Sequence, residues 1–439
     1  MAHKHEIPSL DESFEFSPEL KKKLIFSAIL GVVLVALGAF LITNHWSIGV
    51  WESAAHGASH SGGEHGGEHH GATLMSRIVA NIWMNSVYFL GISVVGVFFM
   101  AYNYVAKAGW YASFKRVPEA FPSFIIVPAV IMLALYLIPD TKHIIFHWTH
   151  EGIMTEGSAN YDKIIAGKSW YLNDIFFLIR MVSYFAIWYY LWTQIRKNSL
   201  LEDEHNDLLY YTKSRNYSKA FLIFFAVTSS TAAWDFSMSI DPHWFSTMFG
   251  WYHLASWHVA GLAAIMLTII LLKEQGYLKA VKFSSIHDLG KLMFGFSVFW
   301  TYVWFSQFLL IFYANLPEET IYFRERFSGF DGRYFAPFII NLILNFVFPF
   351  LILMARESKR NYTFLKLACG SILMGHWFDF YQMQMPGIAK EQGGIGIIEW
   401  GTTLTFASLF IYFVANQLSK ANLIAKNHPF LEESLHHDI

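Results

Sequence analysis

The sequence predicts an all-α integral membrane protein of about ten transmembrane helices. They form two parallel-related four-helix bundles, with a flanking first and last helix. Three observations carry this. Apolar runs of roughly 20 residues, the length a helix needs to cross a ~30 Å hydrocarbon core, recur along the whole chain. Of the 439 residues, 54% are hydrophobic and only 15% charged, with a mean hydropathy of +0.35; soluble domains carry about a quarter charged residues. Two polar motifs also recur four spans apart. Barrel strands are excluded, because they are short and alternate in polarity. The net charge of −2 argues for no nucleic-acid partner.

The spans fall at about 24–43, 78–102, 122–138, 171–193, 219–239, 252–272, 291–313, 335–354, 364–385 and 398–418. The first follows Lys21-Lys22-Lys23 as in a signal peptide. Its apolar stretch exceeds the roughly 7–15 residues of a typical cleaved segment, so it reads as a retained helix. Loops on the N-terminal side carry 22 Lys and Arg, the opposite loops 8, and Arg180 lies within a span. By the positive-inside rule both termini are cytoplasmic. The expected layout is a cytoplasmic segment 1–23, a transmembrane domain 24–418 and a cytoplasmic tail 419–439. Bundle one covers about 78–239, bundle two about 252–385, and a His/Gly-rich external loop covers 44–76. The loop Gln194 to Lys219 reads as solvated and without a motif.

The repeat is carried by "WDFSMSIDP" at the end of span five and "WFDFYQMQMP" at the end of span nine. Asp235 aligns with Asp379, each followed by Phe (Phe236, Phe380) and, seven residues later, by Pro (Pro242, Pro386). Each proline is expected to end its helix. A weaker echo joins "SWYL" (Ser169–Leu172) to "RYFA" (Arg333–Ala336) at the starts of spans four and eight.

Ionisable groups at bilayer depth cost several kcal/mol and usually face protein or water. The candidates are Asp174, Arg180, Asp235, His253, His258, His376, Asp379 and Glu399, with Asn81, Asn85, Gln307, Asn341, Asn345, Gln382 and Thr402 as neutral partners. His376 and Asp379 are three residues apart and share a helix face. Two readings stand for them: a proton relay, in which the carboxylate orients the imidazole, and a polar clamp between helices. Arg180 is expected to find a carboxylate on a neighbouring helix, with Asp235 the first choice. A bis-histidine haem b would need one ligand from each of two helices. His253 and His258 lie about 140° apart around one helix and cannot ligate one haem together, which leaves His258 with His376. The single cysteine, Cys369, cannot form a disulfide, a covalent haem site or an iron–sulfur ligand set.

Outside the spans, His45, His56, His60, His65, His69 and His70 sit in a Gly/Glu-rich stretch that reads as a tether with incidental metal affinity. His143, His147 and His150 would share a face if helical, a weak metal candidate beside the reading of an amphipathic segment on the membrane or a partner. The aromatic stretch Ser246–Gly261 suits an interface belt and equally a docking surface.

These features together resemble the F subunit of alternative complex III, a bacterial quinol:cytochrome c oxidoreductase. It belongs to the wider NrfD-like, polysulfide-reductase-type membrane family. The specific part is "WDFSMSIDPHWFSTMFGWY", supported by "HWFDFYQMQMP", within a match running from about Lys22 to Leu418. The resemblance implies a respiratory electron-transport complex of the bacterial inner membrane that oxidises menaquinol or ubiquinol. Its partners would be a multihaem cytochrome c, an iron–sulfur protein, a sister NrfD-like subunit and a terminal oxidase as acceptor. It implies haem c and Fe–S clusters in those partners and no cofactor in this chain. By position it makes Asp235, His376, Asp379 and Arg180 proton-path residues. The histidine-rich loop departs from the pattern. The competing readings are a stand-alone secondary transporter, which also has repeats and buried charges but usually broken helices, and a haem b-binding anchor.

Overall fold

The computed structural model describes residues 10–44 and 73–438. The stretch holding His45, His56, His60, His65, His69 and His70 lies outside the described residues. Ten long helical segments follow one another: α1 (Pro18–Thr43), α2 (Leu74–Ala106), α3 (Ala112–Leu137), α4 (Asp174–His205), α5 (Leu208–Phe236), α6 (Met248–Glu274), α7 (Phe283–Ala314), α8 (Phe335–Met354), α9 (Tyr362–Ala389) and α10 (Ile397–Leu418). Among the described residues, nine of these are long and apolar enough to cross a membrane. The exception is α9. The chain is an all-α, multi-pass membrane protein.

Helix α2 packs on α3, α3 on α4, α4 on α5, and α5 back on α2; helices α6 to α9 close a second ring in the same order. The two four-helix bundles meet through α2, α5, α6 and α9. Helix α1 packs chiefly on α10, where a Cβ on Gly31 would run into the α10 backbone at Gly401. Residues 10–16 lie beside 422–426: the Leu423 N–H donates to the Glu12 carbonyl (2.7 Å) and Lys426 pairs with Asp11. Both ends of the described chain therefore meet at one end of the bundle, here the termini end; the opposite is the far end.

Three sequence expectations are corrected. Gln194 to Lys219 is not a solvated loop. Helices α4 and α5 run through it, joined by Asn206 in a left-handed conformation (φ 46°) and by Asp207, whose side chain caps α5. Arg196, Ser199 and Glu202, three residues apart, form a buried stripe on α4. Charge density that reads as solvent exposure is here internal ion pairing. Second, Pro386 does not end its helix, since α9 continues to Ala389. Proline lacks the N–H that would bond the carbonyl four residues back. That carbonyl, of Gln382, instead accepts from Arg326 Nε at 2.8 Å. Arg326 is buried on the short helix Pro317–Phe327, its guanidinium stacked on Tyr322. In contrast, α5 ends at Phe236, six residues before Pro242, so the two prolines are not equivalent. Third, Asp174 is the first residue of α4 with its side chain 54% exposed, bonded to Tyr136 (2.9 Å) and Lys142 (3.0 Å); it is a surface group, not an interior one.

Arg326→Ala should orphan the Gln382 carbonyl inside the protein, which costs about 1–3 kcal/mol before lost packing. The expected result is a lower unfolding temperature in detergent, with Arg326→Lys recovering part of it. An unchanged transition for Arg326→Ala would show that α9 tolerates Pro386 unaided.

Two segments are interrupted. Helix α3 passes through a 3₁₀ stretch at Phe121–Phe124, next to Pro118 and Pro122. Helix α8 widens into a π-turn at Ile343–Val347 ahead of Pro349, a common accommodation of a proline within a helix.

Candidate functional site: two buried carboxylates at matched positions

Asp235 on α5 and Asp379 on α9 occupy equivalent helices of the two bundles, and both are fully buried. Their surroundings differ in kind. Asp235 Oδ2 accepts from Arg180 Nε and Oδ1 from Arg180 Nη2, both at 2.8 Å, in a two-pronged ion pair. Tyr184 donates its hydroxyl to Oδ2 (2.8 Å). The guanidinium lies over the rings of Tyr171 (3.8 Å) and Phe176 (4.3 Å) and donates to the Tyr171 carbonyl (3.0 Å). The structure thus makes the Arg180–Asp235 pairing expected between neighbouring helices.

Asp379 has no arginine. Its Oδ1 accepts from the Tyr252 hydroxyl and from Asn341 Nδ2 (2.9 Å); its Oδ2 accepts from Ser256 Oγ (2.5 Å) and Trp300 Nε1 (3.0 Å). The four donors come from α6, α7 and α8, and all are neutral. Asn345 donates to Asn341 Oδ1 (2.6 Å) and holds that amide in place. Among the described residues the one ion-pair partner of Asp379 is His376, with Nδ1 3.7 Å from Oδ2. That separation is too long for a hydrogen bond, and neither nitrogen of the buried His376 has a hydrogen-bond partner. Trp300 meets the imidazole edge-to-face at 5.4 Å. The expectation that the carboxylate orients the imidazole directly is therefore corrected. Asp379 is oriented by its four donors, and His376 stands next to it held only by packing.

The remaining predicted residues fall elsewhere. Glu399 takes a two-pronged pair from Arg77 (2.8 and 2.7 Å), plus Asn81 Nδ2 (2.8 Å) and the Gly396 N–H (2.8 Å). It clamps α2 to α10 and is not joined to either Asp site. His253 Nε2 lies 3.2 Å from Ser237 Oγ, which accepts from Gln384 Nε2 (3.0 Å), so a polar link crosses from α6 through the end of α5 to α9. His258 is enclosed by Phe98, Tyr102 and Phe296 and shares no ring contact with His376. His143, His147 and His150 are not on one helix: a helix ends at Ile145, and a 3₁₀ turn covers His147–Thr149. The rings of His143 and His150 stack at 5.0 Å. Among the described residues no group of three or more His, Cys, Asp or Glu side chains is arranged to hold a metal ion.

Sequence reasoning missed Tyr252, Ser256 and Trp300. It also missed a buried charge cluster at the termini end of bundle one. There Lys115 pairs with Glu202 (3.3 Å) and donates to the Tyr104 hydroxyl (2.9 Å), while Arg116 pairs with Glu119 (2.7 Å) and Asp203, and Arg196 with Glu119 (3.3 Å). The i, i+3 spacing of Arg116 and Glu119, and of Arg196, Ser199 and Glu202, is the one available signal. It requires knowing that the helices extend that far.

Comparison of the chain with family models and with curated proteins returns no match.

Proposed function

We propose that this chain is a membrane-embedded, cofactor-free subunit of a quinol:cytochrome c, or quinol:oxidase, electron-transfer complex. In this reading it lies in a bacterial inner membrane with both termini cytoplasmic, and His376 with Asp379 is its protonatable centre. The observation that carries the protonatable centre is the asymmetry of the two carboxylates. Arg180 cancels the charge of Asp235, so a proton arriving there would have to break a two-pronged ion pair. Asp379 meets only neutral donors and one unbonded imidazole, so a proton reaching either His376 or Asp379 breaks no fixed salt bridge. Asp235 is then the structural member of the pair and Asp379 the working one.

The complex and its partners rest on the motif resemblance. In this reading haem c and Fe–S clusters belong to a multihaem cytochrome and an iron–sulfur subunit. A sister NrfD-like subunit and a terminal oxidase complete the electron path from menaquinol or ubiquinol. The orientation rests on the basic excess at the termini end. Of the loop cations counted there, Lys115, Arg116, Arg196 and Lys359 are buried, as are Arg77 and Arg326 at the far end; the excess survives their removal.

A secondary transporter remains the competing reading, because α3 and α8 are interrupted. Transporter repeats place their broken helices at corresponding positions. Here α3 corresponds to the continuous α7, and α8 to the continuous α4, which weighs against it. The test is a mild-detergent pull-down of the tagged chain from native membranes with mass spectrometry of what accompanies it. Multihaem cytochrome and iron–sulfur subunits are the expected companions. Recovery of the chain alone, monodisperse, would overturn the complex reading and direct attention to substrate screens.

A further inference from the structure

Between the start of α4 and the end of α5, at the far end of bundle one, lies a cavity of about 270 Å³. Its lining includes the aromatic side chains of Tyr171, Trp234, Trp244 and Phe245, with Lys168 and Trp170. Trp170 is 75% and Phe245 61% exposed, and Ile175, the second residue of α4, is also 75% exposed. Large apolar side chains presented to the outside in this way border lipid in a membrane protein, and tryptophans mark the level of the lipid headgroups. The cavity therefore sits where the spanning helices end and opens among groups that face the bilayer.

Two polar groups there are under-used. The Lys168 ammonium donates to the Pro242 carbonyl (2.5 Å) and lies 5.6 Å from the Phe245 ring centre. An ammonium has three donors, and no carboxylate lies within 4.0 Å of this one among the described residues. Asp162, whose charge reaches it, is committed to His243 (2.5 Å) and to the N–H groups of Ile164 and Ile165. Burial pushes the Lys168 pKa below that of an ordinary lysine, with Asp162 offsetting part of the fall. The second group is the Trp234 indole N–H, which is buried and has no acceptor. An apolar cavity at headgroup level, with an uncompensated cation and a spare N–H donor, matches an amphiphile with an anionic head.

We propose that this cavity binds one anionic phospholipid of the adjoining leaflet, with part of an acyl chain between the aromatic rings and the phosphate on the Lys168 ammonium. The space is too small for a whole lipid, so the head stays at the rim where Lys168 stands. Arg180 does not compete for the phosphate, because Asp235 holds it. The proposal does not depend on the respiratory reading.

The test is native mass spectrometry of the full-length chain, with any subunits that co-purify, delipidated and titrated with dioleoyl phosphatidylglycerol or dioleoyl phosphatidylcholine. These share their chains and differ in head charge. The wild type should bind its first phosphatidylglycerol about tenfold more tightly than phosphatidylcholine: both carry the phosphate, but the choline cation of the second cancels the head charge that attracts Lys168. Lys168→Gln should erase that preference and Lys168→Arg keep it. Trp234→Phe, which keeps the ring and removes the N–H, should weaken both lipids. Equal binding of the two heads by wild type, or a preference untouched in Lys168→Gln, would overturn the proposal. So would an isoprenoid quinone retained from native membranes and displaced by neither lipid. If Lys168→Gln fails to fold, the Lys168→Arg and Trp234→Phe pair decides.

Discussion

Arg180→Ala should be the most destabilising single substitution in bundle one. Removing the guanidinium leaves Asp235 as a fully buried carboxylate whose remaining side-chain donor is Tyr184, and breaking a buried pair from one side costs about 3–5 kcal/mol. The cost should come from the orphaned charge more than from the lost bond. The double variant Arg180→Met with Asp235→Asn removes both charges and should regain most of the loss, since replacing a buried pair by neutral groups is often close to neutral. The single cysteine offers a direct readout. Cys369 is buried and free, so a thiol-reactive fluorophore added to the isolated chain reports unfolding from one known position. A double variant as unstable as Arg180→Ala would mean that the arginine acts by packing over Tyr171 and Phe176 and not as a counter-charge.

The second large effect concerns function. Asp379→Asn should leave assembly intact at a modest cost in stability. The hydroxyls of Tyr252 and Ser256 can turn to meet an amide, and with the amide nitrogen on the Oδ2 side the Trp300 N–H keeps Ser256 Oγ (2.9 Å) as its acceptor. Proton-coupled turnover should fall by about 10²-fold or more, the usual scale when a proton-transferring group is removed. His376→Gln should show a similar loss. The Arg180→Met/Asp235→Asn double variant is the contrast, with turnover and proton release near wild type once folded. Assembly, turnover and proton release all unchanged in Asp379→Asn would reduce that site to a polar clamp between α6, α7, α8 and α9.

The ten helices were legible because length and apolarity act residue by residue. The register of Asp235 with Asp379 was legible because a repeated unit keeps its polar positions. The Arg180–Asp235 pair followed from there being few candidates on adjacent spans. Of the shell around Asp379, Asn341 was legible as a neutral partner, but Tyr252, Ser256 and Trp300, which come from α6 and α7, were not. Each looks like ordinary sequence for a membrane span until their rotations about the helix axes are known. Pro386 misled for a related reason: the donor that lets α9 continue is Arg326, 60 residues earlier in the chain. The cluster of Lys115, Arg116, Glu119, Arg196 and Glu202 misled in the opposite way. Charge alone does not distinguish a solvated loop from a helix end that buries its ions in pairs.

The polarity of α9 bears on how the chain is made. A helix with His376, Asp379, Gln382 and Gln384 near its middle and far half gains little from hydrocarbon, where a central Asp alone costs about 2.5–3.5 kcal/mol on insertion scales. Its carboxylate becomes affordable only once Tyr252, Ser256, Trp300 and Asn341 are there to receive it, and all four are translated earlier. Helix α9 is therefore expected to linger at the translocon until α6, α7 and α8 have gathered, and to enter the bilayer as their passenger. Biogenesis of bundle two then has a fixed order written into its least lipophilic segment, and faults in the earlier helices would surface as failed insertion of the ninth.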